Sequence, residues 1–241
     1  MDSRVFIFCP YSGDRWTEKD AGSLIILNNI SKRYLTKNGE RVVLNPTSLK
    51  IPSNEHIAIL GRNGAGKSTL LRMIAGVEQP DQGKIVRLAH LSWPIGFGGA
   101  LHNALTGRQN VEFTARINSV DIEEATQYVE DFSELGKYLD EPVSTYSAGM
   151  RSRLAFGLSL SIDFDCYLID EAISTGDKWF REKAALAFDE RRQTSGVLFV
   201  SHNPGTVKRF CDKGLVLVES RLVPFSDLDE AIDFYNYGLL K

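Results

Sequence analysis

Apolar residues in this chain come in two rhythms. Short unbroken runs, among them Leu24-Ile25-Ile26-Leu27, the segment His56 to Leu60, Cys166-Tyr167-Leu168-Ile169, the segment Gly196 to Val200 and Gly214-Leu215-Val216-Leu217-Val218, have the length and composition of buried strands. Between them the apolar positions recur at helical spacing. Leu70-Leu71-Arg72-Met73-Ile74-Ala75 predicts a helix that stops near Gly76. Val111, Phe113-Thr114-Ala115 and Ile117 predict a second. Ile122, Ala125, Tyr128-Val129, Phe132 and Leu135 predict a third, starting at Asp121 and ending at Gly136. Leu154 to Leu160, Trp179 to Arg192 and a closing stretch at about 227–239 complete the set.

Strands and helices alternating in this way describe an α/β protein. Ahead of the first helix lie Leu24–Leu27, Ile30–Tyr34, a turn at Lys37-Asn38-Gly39-Glu40, Val42–Leu44 and Ser48–Ile51, punctuated by Pro46 and Pro52. They predict a small N-terminal antiparallel β subdomain. The block at about 93–160 reads as an α-helical subdomain inserted between halves of the core, entered through the bend Trp93-Pro94-Ile95-Gly96-Phe97-Gly98-Gly99. Residues 1–22 keep no period and read as a poorly ordered leader or an over-long gene start; 23–241 form the domain.

Composition narrows the function. The net charge of −3 gives no electrostatic footprint for nucleic acid. Cys9, Cys166 and Cys211 are far apart, which suits a reducing compartment and argues against zinc. No apolar run approaches the roughly 18 residues of a spanning helix, so a membrane role is expected only through a partner.

The chemistry gathers at Gly61-Arg62-Asn63-Gly64-Ala65-Gly66-Lys67-Ser68-Thr69, between a strand and a helix start. This is the G-x-x-x-x-G-K-[ST] spacing, in which glycines let backbone N–H groups wrap phosphates and the helix N-terminus adds favourable dipole charge. Lys67 is expected on the β- and γ-phosphates and Ser68 on Mg²⁺. Tyr34 ends a strand upstream of this loop, where its ring either stacks on adenine or covers a sheet edge. Ser147-Ala148-Gly149 opens a helix, a second anion-ready geometry or a plain N-cap. Asp170 and Glu171 close an apolar strand at the edge where open α/β sheets bind ligands. Asp170 is a candidate for the Mg²⁺ shell and Glu171 for polarising an attacking water. His202, after the strand ending at Val200, is a candidate γ-phosphate contact.

In that order, these marks resemble the nucleotide-binding subunit of ATP-binding cassette (ABC) transporters over about residues 24–240. Ser92-Trp93-Pro94-Ile95-Gly96-Phe97, Leu105-Thr106-Gly107-Arg108-Gln109-Asn110, Glu134-Leu135-Gly136-Lys137-Tyr138 and Thr145-Tyr146-Ser147-Ala148-Gly149-Met150-Arg151-Ser152-Arg153-Leu154 look like the ATPase subunit of capsular polysaccharide exporters. The O-antigen and teichoic acid exporters are related; many carry a C-terminal sugar-binding extension, whereas this sequence stops at Lys241.

The resemblance implies a P-loop NTPase core and ATP hydrolysis with Mg²⁺. It also implies a homodimer with each ATP between one copy's Gly61–Thr69 loop and the other's Ser147-Ala148-Gly149, and Asp177 facing that partner. An integral membrane permease is implied as partner, with this chain peripheral at the cytoplasmic face of the inner membrane. Two departures stand out. The usual Leu-Ser-Gly-Gly-Gln signature is Tyr146-Ser147-Ala148-Gly149-Met150 here, and no glutamine lies between Gln82 and Gln109 where the superfamily places one at the entry to the insertion. Trp93 and Phe97 are then either contacts for a membrane partner or covers for a small core. The competing readings are an ABC ATPase for another cargo, a soluble ABC ATPase acting on ribosomes or DNA, and a non-hydrolysing binding module.

Overall fold

The computed structural model describes residues 24–37, 39–95, 101–170, 178–201 and 204–237. They fall into two compact units, one drawn from the described residues of 24–91, 165–168 and 195–237, the other from those of 92–164 and 169–194.

The first unit is built on two sheets. β1 (Leu24–Thr36) is the central strand of a three-stranded antiparallel sheet, between β2 (Gly39–Pro52) and β4 (Gln82–Arg87). The apolar pattern predicts two strands on either side of Asn28-Asn29, and the structure runs one strand through them. Asn29 takes a left-handed φ of 50° and donates its backbone N–H to Ser48 Oγ at 2.9 Å, so the chain bulges rather than breaks. Gly83 of β4 faces this bulge at φ 81°, where a Cβ would run into the Asn28 and Asn29 carbonyls. β2 likewise passes Pro46, because the register skips from Thr47 opposite Ile30 to Leu44 opposite Lys32. The proline sits in the gap, where no ladder N–H is asked of it.

The second sheet has five strands in the order β5 (Cys166–Asp170), β6 (Gly196–Val200), β3 (His56–Leu60), β7 (Lys213–Val218) and β8 (Arg221–Phe225). β3 runs parallel to β6 and β7, and β8 returns antiparallel. That return is a two-residue turn with both central residues at positive φ, Glu219 at 47° and Ser220 at 58°, the twist hairpins favour. The turn is bonded to β2: Asn45 N–H donates to Ser220 O at 2.7 Å, and Ser220 Oγ to Val42 O at 2.8 Å.

α1 (Lys67–Ala75) seals both sheets into one core. Leu70, Leu71, Met73 and Ile74 are buried against Ile57, Ile59, Leu198, Leu215, Ile25 and Leu49. Four such side chains contribute roughly 6–12 kcal/mol as an upper estimate, far more than the propensity of so short a helix. Gly76 ends it at φ 83°, and Arg87 donates to the last carbonyls, those of Met73 and Ile74, at 2.6 Å each. α6 (Pro204–Phe210) and α7 (Leu228–Tyr237) complete the unit.

The second unit is helical: α2 (Gly107–Ile117), α3 (Ile122–Ser133), α4 (Ala148–Leu160) and α5 (Lys178–Arg191). Val111, Ala115, Val129, Leu139, Leu154 and Leu158 form its core. α3 stops at Ser133, earlier than Gly136, because Glu134 turns left-handed at φ 54°. Lys183 then donates to the Phe132 carbonyl at 2.9 Å and pairs with Glu134 at 2.7 Å, placing positive charge on the negative end of the helix.

α7 lies on β7 so closely that a Cβ on Gly214 would collide with Ala231 Cβ. Gly214→Ala is therefore expected to lower unfolding free energy by roughly 1–3 kcal/mol in denaturant titration. Adding Ala231→Gly should recover part of that loss, less the ~1 kcal/mol a helical glycine costs.

Candidate functional site

The loop Gly61–Thr69 leaves the C-terminal end of β3 and enters α1, and its conformation is set by glycines at positions other residues could not fill. A Cβ on Gly61 would stand 2.7 Å from the Leu217 carbonyl oxygen of β7. Gly66 is the N-cap of α1 at φ 110°, and its Cβ would penetrate Val43 Cγ1 of β2. A glycine cap brings no side-chain acceptor, so the helix start presents backbone and positive dipole to whatever anion arrives. The loop is pinned by Ala65 N–H to Arg62 O at 3.0 Å and Leu70 N–H to Gly66 O at 2.9 Å.

Lys67 is 6% exposed, and its ammonium folds back onto the loop, donating to Gly61 O at 2.7 Å and Arg62 O at 3.2 Å. The cation thus stands inside the ring of backbone, held by carbonyls that a stronger acceptor can replace.

Around this loop lies a cleft of about 240 Å³ lined by Tyr34, Arg41, Val43, Gly64, Gly66, Lys67, Ser68 and Thr69. Of the residues expected from the sequence, the structure brings Tyr34 together with Gly64, Gly66, Lys67, Ser68 and Thr69. Arg62 and Asn63 are exposed and do not line the cleft. Arg41 and Val43 were not anticipated. The signal for them is strand alternation, which puts both on one face of β2 two residues apart. The Arg41 guanidinium donates to Gly64 O, adding a second cation at the rim.

Tyr34 is half-buried, and its phenol donates to the Glu78 carboxylate. Burial alone would raise the Glu78 pKa, but bonds from Tyr34, Lys32 and Arg72 hold it below the ordinary value.

Ser147, Ala148 and Gly149 belong to the helical unit. Ser147 is the N-cap of α4, its Oγ accepting from Met150 N–H at 3.2 Å; Ser147 and Ala148 are exposed and Gly149 is half-buried. What fixes this helix start is Tyr146, buried just before it. Its hydroxyl donates to Tyr138 O and lies where a Cβ on Gly107 would be, 2.6 Å away. Burial raises the Tyr146 pKa, and Asp140 and Glu141 add to the rise against the lowering bond from Gly107. Thr106 and Gln109 form a capping box at the start of α2, and Arg108 reaches Asp140 at 2.7 Å. Val143 N–H returns to Leu105 O at 2.9 Å. The Thr-Gly-Arg and Tyr-Ser-Ala-Gly segments are thus two sides of one packed joint.

Asp170 is the last residue of β5, half-buried, its N–H donating to Ile95 O at 3.3 Å. Glu171, Asp177, His202 and Phe97 lie outside the described residues. Trp93 is used inside its own unit: its indole N–H donates to Ser159 Oγ at 2.9 Å and its ring meets Phe164 edge-on at 5.4 Å. No group of three or more metal-ligating side chains occurs among the described residues, and no described helix is long and apolar enough to cross a membrane.

Comparison with known proteins gives a consistent picture. A family model described as ABC transporter matches residues 44–174. The capsule polysaccharide export ATP-binding protein CtrD of Neisseria meningitidis is 48% identical over 213 residues, covering 88% of this chain and 99% of that protein. The polysialic acid transport ATP-binding protein KpsT of Escherichia coli is 45% identical over 216 residues, covering 88% and 96%. Among solved structures, a dimeric ATP-binding cassette in a post-hydrolysis state, bound to ADP and Pi, superposes with a TM-score of 0.71 at 20% identity. It covers 85% of this chain and 98% of that one, a likeness of fold.

Two measurements test this geometry. Gly66→Ala should weaken nucleotide binding roughly tenfold or more. Adding Val43→Ala should relieve the collision only, leaving a backbone cost of ~1–2 kcal/mol. Because Glu78 has a depressed folded pKa, its stabilisation is present above the ordinary value of 4.5 and lost as pH falls through the folded value. The stability difference between wild type and Glu78→Gln should accordingly be constant at neutral pH and close on acidification below 4.5.

Proposed function

Because the chain belongs to the ABC transporter family, we propose that it is the ATP-hydrolysing subunit of an exporter that moves capsular polysaccharide across the inner membrane. The observation that carries the ATPase reading is the cleft in which Lys67, the Gly66 helix start and Tyr34 share one wall-to-wall space. The cargo reading is supported by the similarity to CtrD and KpsT, 48% and 45% identical over 88% of this chain, whose names specify capsule polysaccharide and polysialic acid.

In this reading the triphosphate enters over the N-terminus of α1. Lys67 transfers its hydrogen bonds from the Gly61 and Arg62 carbonyls to the β- and γ-phosphates, and Gly61 to Thr69 cradle the chain of phosphates with backbone N–H groups. Ser68 and Asp170 would hold Mg²⁺, since both offer the hard oxygens such an ion takes, and the ion when bound would neutralise charge on the phosphates. Glu171 orients and deprotonates the attacking water, and His202 bonds the γ-phosphate.

The second anion-facing helix start, Ser147-Ala148-Gly149, comes from another copy of the chain, with Asp177 at the same junction. Two copies related by a two-fold axis close two such sites at once. The helical insertion at about 93–160 passes the closure to an integral membrane permease. The protein is peripheral, at the cytoplasmic face, and held there by that partner.

Glu171→Gln should abolish ATP turnover while ATP binding persists and the ATP-bound dimer accumulates, as read by phosphate release and size-exclusion chromatography. Wild-type hydrolysis by this variant would remove Glu171 from the mechanism.

A further inference from the structure

Tyr34 stands near the end of the β1–β2 hairpin, where Arg33 and Leu35 on either side are exposed and packing alone leaves an aromatic ring free to swing. The structure holds it by its oxygen. The phenol donates to Glu78, which follows the end of α1 and does not line the cleft. Glu78 is gripped in turn by Arg72 Nε at 3.1 Å and Lys32 Nζ at 3.2 Å, and its side chain is only 18% exposed. Lys32 also donates to Gln79 O at 2.8 Å, pairs with Asp81 at 3.3 Å, and sits 5.3 Å from the Tyr34 ring centroid. Asp81 closes the circuit by accepting Arg33 N–H at 2.7 Å. Two further bonds lead to the phosphate loop: Arg72 donates to Thr69 Oγ1 at 3.1 Å, and the Tyr34 hydroxyl lies 3.4 Å from the same atom.

We propose that Glu78 is a positioning residue for nucleotide recognition, fixing the Tyr34 ring as a preformed platform for the base at a set distance from the phosphate loop. The proposal rests on the reading of Tyr34 as the adenine-facing ring. Its physical content is preorganisation: a ring ordered before the base arrives does not have to be ordered by binding, so the stack contributes its full strength. The carboxylate suits the task because it accepts from Tyr34, Arg72 and Lys32 together and remains ionised at neutral pH, which makes each bond charge-assisted. The circuit joins β1, α1 and the residues after α1, so the platform and the phosphate loop are tied through shared hydrogen bonds.

The test compares binding of a non-hydrolysable ATP analogue with binding of tripolyphosphate, which has the phosphates and no base. Tyr34→Phe removes only the tethering oxygen and keeps the ring; Glu78→Leu removes its acceptor; Tyr34→Leu removes the ring. Both tether variants should weaken the ATP analogue roughly five- to tenfold, leave tripolyphosphate unchanged, and raise KM for ATP with kcat retained. The double variant Tyr34→Phe, Glu78→Leu should be no weaker than either single one.

If Tyr34→Leu weakens the analogue while Tyr34→Phe and Glu78→Leu bind it as wild type, the tether is overturned and the platform reading stands. Wild-type binding by Tyr34→Leu would overturn both. Equal losses for the analogue and tripolyphosphate would mean that Glu78 merely supports the loop, and would overturn the proposal. Should Glu78→Leu not fold, Tyr34→Phe decides alone, since it deletes a single atom from a half-buried ring.

Discussion

The nucleotide loop depends on a contact that only glycine permits. Gly66 begins α1 with a left-handed backbone while lying against Val43, a buried residue of a different sheet. A side chain there would have to displace β2 or twist the helix start away from the cleft. The loop's shape is therefore set from outside as well as from within. β2 presses on Gly66, β7 presses on Gly61 through the Leu217 carbonyl, and the buried face of α1 keeps the helix from yielding to either. Lys67 completes the arrangement by satisfying its charge on the loop's own carbonyls, which keeps a buried ammonium tolerable until phosphate oxygens replace them.

Polar groups in both units are organised on the same principle: a ring is placed by its hydroxyl. In the first unit Tyr34 is held by Glu78; in the second, Tyr146 is held by the Tyr138 carbonyl and fills the space that Gly107 leaves. Each ring stands directly beside a helix start or loop with an exposed functional face. In both cases a hydrogen bond from the hydroxyl fixes the ring's position, the way supporting groups position their neighbours.

Much of this was legible in the sequence. The phosphate loop carries its spacing locally, and the flanking apolar runs fall on β3 and α1, so motif and elements reinforce one another. The ends of α1 and the start of α3 were marked by Gly76 and Asp121, residues whose backbone or side-chain chemistry acts within a few positions. What escaped depends on distant partners. Asn28-Asn29 and Pro46 looked like breaks because propensity cannot register a bulge stabilised by Ser48 or a proline parked in a register skip. Arg41 and Val43 join the cleft only because β2 pairs with β1, and Glu78 matters only because three residues from three places converge on it. Trp93, read from the sequence as either a partner contact or a core cover, bonds Ser159 and packs edge-on against Phe164 within its own unit.

The bond between β2 and the Glu219-Ser220 turn has a consequence for biosynthesis. Residues Gly61 to Thr69 leave the ribosome before two of the contacts that shape them: Leu217, against which Gly61 lies, and Ser220, which buttresses Val42 and Asn45 beside Val43. A nascent chain that has emerged only as far as β6 has the motif and Val43 but lacks the β7 carbonyl against which Gly61 lies. A phosphate loop with the Leu217 carbonyl against Gly61 is thus formed only after β7 has been made.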